Sequence, residues 1–237
     1  MPSVGDFRLL SRRRLKAMML AADEIRECAR VLGKTGANVV SEMLRGQGTF
    51  YEWNHYPEGD VFDEETHAQF YYHAHRGPQA EHGHFHTFLR AGGMPKGVRP
   101  LPGQSGDAPR GTEALSHLVA ISMDPFGVPI GLFAVNRWVT GETWYAARDV
   151  LRMLDSFEID HAYPSWPVNR WLGAMLRLFA PQVEALVRQR DDVVLDWARR
   201  RPLAEVLEDR TREITGWVRI SVNDQVRRVE KALQDAR

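Results

Sequence analysis

Apolar residues recur along this chain with two different spacings, and the changes of spacing divide it into three parts. The first part has the helical period. Leu15, Met18, Met19, Ala22, Ile25 and Ala29 form a stripe that predicts a helix from a Ser11 cap to about Leu32, closed by Gly33. A short helix is predicted over 37–44, ended by Gly46. Residues 51–63 are rich in aromatics and acids and are punctuated by Pro57 and Gly59, which reads as a loop.

The second part has the period of a strand. Over 69–76 and 81–90, aromatic and polar residues alternate on both sides of Gly77-Pro78, predicting two antiparallel strands joined by a turn. With a loop of 77–80, Arg76 faces Glu81, His75 faces His82, His73 faces His84 and Tyr71 faces His86. Phe70, Tyr72, Ala74, Phe85, Thr87 and Leu89 take the opposite, core-like face. Apolar runs at 115–123 and 128–139, split by Asp124-Pro125-Phe126-Gly127, predict a second hairpin. Pairing Met123 with Val128 sets His117 opposite Ala134, with Asn136 and Trp138 further along. The glycine- and proline-rich stretch 91–111 between the hairpins reads as a long loop, either a lid over the histidine face or an insertion.

The third part is helical again. Thr143 caps a predicted helix to about Phe157, and Pro167 suits the first turn of the next. Trp171, Leu172, Met175, Leu176 and Phe179 give that helix a dense apolar face. Pro181 restarts the pattern through Val183, Leu186, Val187, Val194, Leu195 and Trp197, and Pro202 starts another helix. The tail 221–237 carries Val222, Val226, Val229 and Leu233 at helical spacing, an amphipathic helix for the body or for a second copy of the chain. The fold class is therefore α+β. A four-stranded antiparallel sheet of two hairpins spans about 68–139, packed with helices over about 11–45 and 143–235. No internal repeat or clean linker divides it, so residues 1–237 form one domain.

Composition narrows the function classes. The 237 residues are 43% hydrophobic and 26% charged, as in an ordinary globular protein. The 31 basic and 31 acidic side chains cancel, which argues against a dedicated nucleic-acid binder; the arginine runs at 12–14 and 199–201 read as solvated helix faces. Cys28 is the single cysteine, so neither an internal disulfide nor a thiolate zinc site is available. No apolar run approaches the ~20 residues that cross a bilayer, and no apolar signal segment follows the basic N-terminus. These features predict no membrane partner and a cytoplasmic location. Gly33-Lys34-Thr35 is not a phosphate loop, because Cys28 stands where the first glycine is required and the preceding element is helical.

The candidate chemistry lies in the first hairpin. Five of the nine histidines fall within 73–86: His73, His75, His82, His84 and His86. On matched faces of paired strands, opposite side chains sit roughly 4.5–5.5 Å apart at Cβ, close enough for imidazoles to converge on one ion. Neutral imidazole is the commonest ligand for zinc, iron and copper, and two or three of them with an open position make a catalytic centre. The five histidines are the candidate metal ligands, and Glu81 is the candidate catalytic residue, as ligand or general base. Asp60, Asp63, Glu52, His55 and His67 precede the hairpin and either join the site or cap turns and close the core. His117 is either a further ligand or a core histidine.

The first functional reading is a metal-dependent enzyme holding a divalent ion, zinc or iron, and acting on a small molecule. A non-catalytic metal or small-ligand binder uses the same residues. An interaction module with a pH-sensitive histidine face does too, and a homo-oligomer fits it.

Overall fold

The computed structural model describes residues 4–77, 80–104 and 106–235. Pro78 and Gln79 at the tip of the expected first hairpin, Ser105, and the last two residues of the tail lie outside them. Helix α1, Arg12–Gly33, begins where Ser11 Oγ accepts the backbone N–H of Arg14 (3.2 Å). Its buried stripe is Leu15, Met18, Ala21, Ala22, Ile25, Cys28 and Leu32; Ala29, expected inward, is exposed, and Cys28 takes that place. Helix α2, Val39–Met43, is capped reciprocally by Asn38 and Ser41.

The sheet has six strands, not the expected four. They are β1 (Tyr56–Phe62), β2 (Ala68–His73), β3 (Gly83–Arg90), β4 (Leu115–Met123), β5 (Pro129–Val135) and β6 (Ile214–Arg219), antiparallel throughout and adjacent in that order. Both additional strands lie at edges. Strand β1 arises in the stretch read as a loop. Its ladder pairs Tyr56 with Tyr72 and Val61 with Phe70, so residues 57–60 stand against Tyr71 alone. This bulge hides the alternation that marks a strand. Strand β6 comes from the part read as wholly helical, some eighty residues after its partner β5.

The central hairpin keeps its expected register. Strand β2 pairs with β3 through Phe70–Thr87, Tyr71–His86, Tyr72–Phe85 and His73–His84. The ladder stops there, and the expected continuation to a His75–His82 pair is not formed. The second hairpin is shifted. Ala120 pairs with Phe133 and Met123 with Pro129, where Met123–Val128 and His117–Ala134 were expected. Strand β5 also ends early. Asn136 caps a single helical turn, α3 (Arg137–Thr140), and its side-chain N–H reaches Val206 O at 2.8 Å.

Helices α4 (Ala147–Met153), α5 (Trp166–Leu178), α6 (Ala180–Ala198), α7 (Leu203–Leu207) and α8 (Val222–Asp235) follow. Pro167 and Pro181 sit in first turns, as expected. Thr143 does not cap α4; its hydroxyl bonds Pro109 O at 2.7 Å. One face of the sheet, with Phe70, Tyr72, Phe85, Leu89, Ile121 and Leu132, forms the main core with α1, α5, α6 and α8. Helix α8 docks on this body through Val226, Val229 and Ala232. The 91–111 stretch is tied to the chain near α4: Leu101 N–H reaches Trp144 O (2.8 Å), and Trp144 N–H reaches Gln104 Oε1 (2.8 Å). Among the described residues, no helix is long and apolar enough to cross a membrane.

Candidate metal centre

The second face of the sheet carries the histidines. The β2–β3 register sets His73 against His84, and their Nε2 atoms lie 2.7 Å apart. His75, just past the end of β2, turns its ring toward both, with centroids 4.9 Å from His73 and 5.1 Å from His84. One ligand nitrogen from each of the three lies within 4.8 Å of the others. The 2.7 Å separation is shorter than the about 3.3 Å between two ligands of a tetrahedral ion at ~2.0–2.1 Å. It is an N–H···N bond between the two rings.

The tautomers follow from Glu81. Its Oε1 sits 2.5 Å from His84 Nδ1, and a carboxylate only accepts, so His84 Nδ1 carries the proton. The Nε2 atoms of His84 and His73 then share one hydrogen, one donating and the other accepting. Glu81 itself is buried. Its Oε2 accepts from Ser122 Oγ and lies 3.4 Å from Arg76 Nη1. Burial alone would raise its carboxyl, but His84, Ser122 and Arg76 outweigh it and hold the group below its ordinary value. Glu81, expected as ligand or general base, therefore stands behind a histidine. Both of its oxygens are engaged, in the position from which outer carboxylates orient metal-binding imidazoles.

His82 is placed elsewhere. Strand β3 begins at Gly83, so residues 81 and 82 lie outside the pleat and reverse the expected parity: Glu81 reaches the histidine face and His82 the core face. His82 Nδ1 is 2.7 Å from Tyr72 Oη, and its ring stacks on Phe50 at 5.6 Å. Gly83 makes this approach feasible, since a Cβ there would lie 2.5 Å from Tyr72 Oη and 2.7 Å from His73 O. His82 is thus not among the converging imidazoles.

His86 continues the row. Its ring is fully buried, 4.8 Å from His84 and 5.2 Å from His73. Its Nδ1 is 2.9 Å from Nε2 of His117, which brings that more distant histidine onto the same face. Buried His73 Nδ1 and His86 Nε2 have no hydrogen-bond partner among the described residues. Burial, reinforced by neighbouring imidazoles, pushes His73 down to about 2 and His86 well below its ordinary value. Burial and the Arg190 charge push His117 down to about 3. His75 is lowered too, first by burial and then by His84. Neutral rings with available lone pairs are the form in which histidine ligates metals.

Three neighbours were not read as part of this face. Trp53 stacks on His75 at 4.5 Å while remaining 68% exposed, and its backbone lies in the left-handed region (φ 71°). Such a conformation is rare for a bulky residue and is held here by Trp53 N–H on Ala74 O (2.9 Å). Arg76 lies over Phe133. Ser122 stands opposite His84 in the β3–β4 ladder, a neighbour set by the pairing of β3 with β4. His55 stacks on Tyr71 at 3.6 Å and bonds Asp60 Oδ1 through Nδ1 (2.9 Å). Asp63 instead caps the β1–β2 turn, accepting from the backbone of Glu65, Thr66 and Asp160. His67 lies by Phe62, outside the cluster.

No curated protein and no solved structure matches the chain. A family profile matches residues 19–220, which takes in most of α1, all six strands and every histidine, so the chain belongs to the family described as a domain of unknown function, DUF6969.

Proposed function

We propose that this protein is a metal-dependent enzyme whose divalent ion, zinc or iron, is held by His73, His75 and His84 and acts on a small molecule. The observation that carries the reading is the convergence of three imidazoles within 4.8 Å, one of them backed by a buried carboxylate on its far nitrogen. Three nitrogen ligands leave a coordination position open, and an ion there would activate water or polarise a bound group. Glu81 is the positioning residue, fixing the tautomer and orientation of His84. His86, whose Nε2 has no partner among the described residues, is the candidate additional ligand. Access is from the Trp53 side, where His75 and Arg76 are half-exposed.

The test is elemental analysis of untagged protein purified without chelator or a nickel column, followed by metal addition under reducing conditions. Near-stoichiometric zinc or iron, lost in His73→Ala and His84→Ala, is expected. No metal before or after addition would sink the reading.

A second reading has its own observation. His73–His84 and His86–His117 are hydrogen-bonded pairs at 2.7 and 2.9 Å, so most ring nitrogens are satisfied without an ion. In that case the row is a buried polar network of a non-catalytic module, and the same analysis returns no metal.

A further inference from the structure

A cleft of about 720 Å³ opens at the end of the sheet away from His75, between Phe62, His67, Gln69, Arg90, Thr112 and Glu113. It is separate from the histidine cluster. Gln69 and Arg90 share the histidine face, but the buried rings of Tyr71 and Phe88, stacked at 5.6 Å, stand between. The geometry points to a binding site for a small monocarboxylate, with the Arg90 guanidinium as its receptor.

Arg90 is held ready for that role. Its Nε donates to Gln69 Oε1 at 2.6 Å, and its guanidinium carbon lies 5.4 Å from the centre of the Phe62 ring. Gln69 is fixed in turn by its amide N–H on Asp60 Oδ2 (2.6 Å). Among the described residues, the two terminal amino groups of Arg90 carry no hydrogen bond or ion pair, and the His67 ring carries no hydrogen bond. A planar guanidinium with its terminal edge free is a fork for the two oxygens of a carboxylate. His67 and the Thr112 hydroxyl supply further polar contacts, and Phe62, 38% exposed, supplies an apolar wall.

Two features show that this end is built. His67 sits in the left-handed region (φ 59°), uncommon for a non-glycine residue. Its ring also lies so close over Gly92 that a Cβ there would be 2.5 Å from Cε1. The exposed Glu113 on the rim sets a negative charge beside the cleft, so a doubly charged phosphate is repelled more strongly than a singly charged carboxylate paired with Arg90.

Calorimetric titration of the full chain with sodium benzoate tests this, with benzamide as the uncharged analogue and inorganic phosphate as the competing anion. Saturable benzoate binding is expected, at least about tenfold tighter than benzamide, as a charge-assisted pair requires. Phosphate is expected to bind more weakly than benzoate. Arg90→Gln should weaken benzoate about tenfold or more. Because Arg90 also holds Gln69, the exposed Glu113→Gln is the companion variant; removing the rim charge should tighten benzoate about two- to threefold. Absence of saturable benzoate binding, equal affinity for benzamide, tighter binding of phosphate, or weaker benzoate binding in Glu113→Gln would each overturn the assignment. Metal content plays no part in these measurements, so the site stands or falls apart from the histidine centre.

Discussion

The two faces of the central hairpin are buried alike but built differently. On one, Phe70, Tyr72, Phe85 and Leu89 pack against helices, with Phe85 6.0 Å from Trp171. On the other, His73, His84 and His86 are at most 7% exposed, and they meet one another, a carboxylate and His117. Apolar burial contributes in proportion to area wherever it occurs. Burial of imidazoles costs stability unless each nitrogen finds a partner. Two nitrogens of the row, His73 Nδ1 and His86 Nε2, have no hydrogen-bond partner among the described residues, a cost that the aromatic face offsets. That difference supports the proposal that the histidine face serves chemistry while the other face holds the sheet.

Substitutions should separate the faces, beginning with the largest effect. Phe85→Ala should destabilise by about 3–5 kcal/mol, as truncation of a buried phenylalanine does, read as a shifted urea midpoint. A near-neutral value would mean that this face is not the supporting one. On the opposite face, His73→Ala and His84→Ala should keep the fold and lose metal, about a hundredfold or more in affinity, measured by competition with a chromogenic chelator. Unchanged affinity in both would break the proposed centre. Glu81→Gln should retain metal with affinity lowered about ten- to a hundredfold, the range found when an outer carboxylate is lost. An effect as large as that of His84→Ala would show Glu81 to be a ligand.

Acid should act on the histidine face selectively. In the native protein, burial holds His73 at about 2, His117 at about 3 and His86 well below 6.5. The unfolded chain takes up these protons as pH falls through about 6.5, and the native state does not. Stability is therefore present above that pH and is lost below it, by up to about 1.4 kcal/mol per group per pH unit. Glu142 opposes this. Burial raises it to about 7 from 4.5, so one group gains stability as pH falls through that interval. Three histidines outweigh one carboxyl, and urea melts at pH 7, 6 and 5 should show a falling midpoint; a flat profile would contradict buried neutral rings. The smallest effect is expected at His82. His82→Ala should leave metal content unchanged and cost about 1 kcal/mol for the bond to Tyr72.

What could be read from the residues alone was whatever depends on local period. Alternation in 69–76 and 81–90 set Tyr71 opposite His86 and His73 opposite His84, because a strand's side chains change face with every residue. The helical stripe of α1 and the prolines opening α5 and α6 were legible for the same reason. Where the period is interrupted, only the folded chain decides. The bulge at 57–60 concealed β1, and β6 became a strand only because the edge of β5, distant in sequence, offered it unpaired backbone groups.

The same division runs through the candidate centre. The clustering of five histidines and the His73–His84 pair belong to the sequence. The exchange of Glu81 and His82 belongs to the tertiary structure, because β3 starts at Gly83, two residues later than the alternation suggests, and leaves both residues outside the pleat that would fix their faces. So do the partnership of His86 with His117 across β3 and β4 and the stacking of Trp53 on His75. Each joins segments whose separation carries no periodic signal, brought together by the packing of the sheet as a whole.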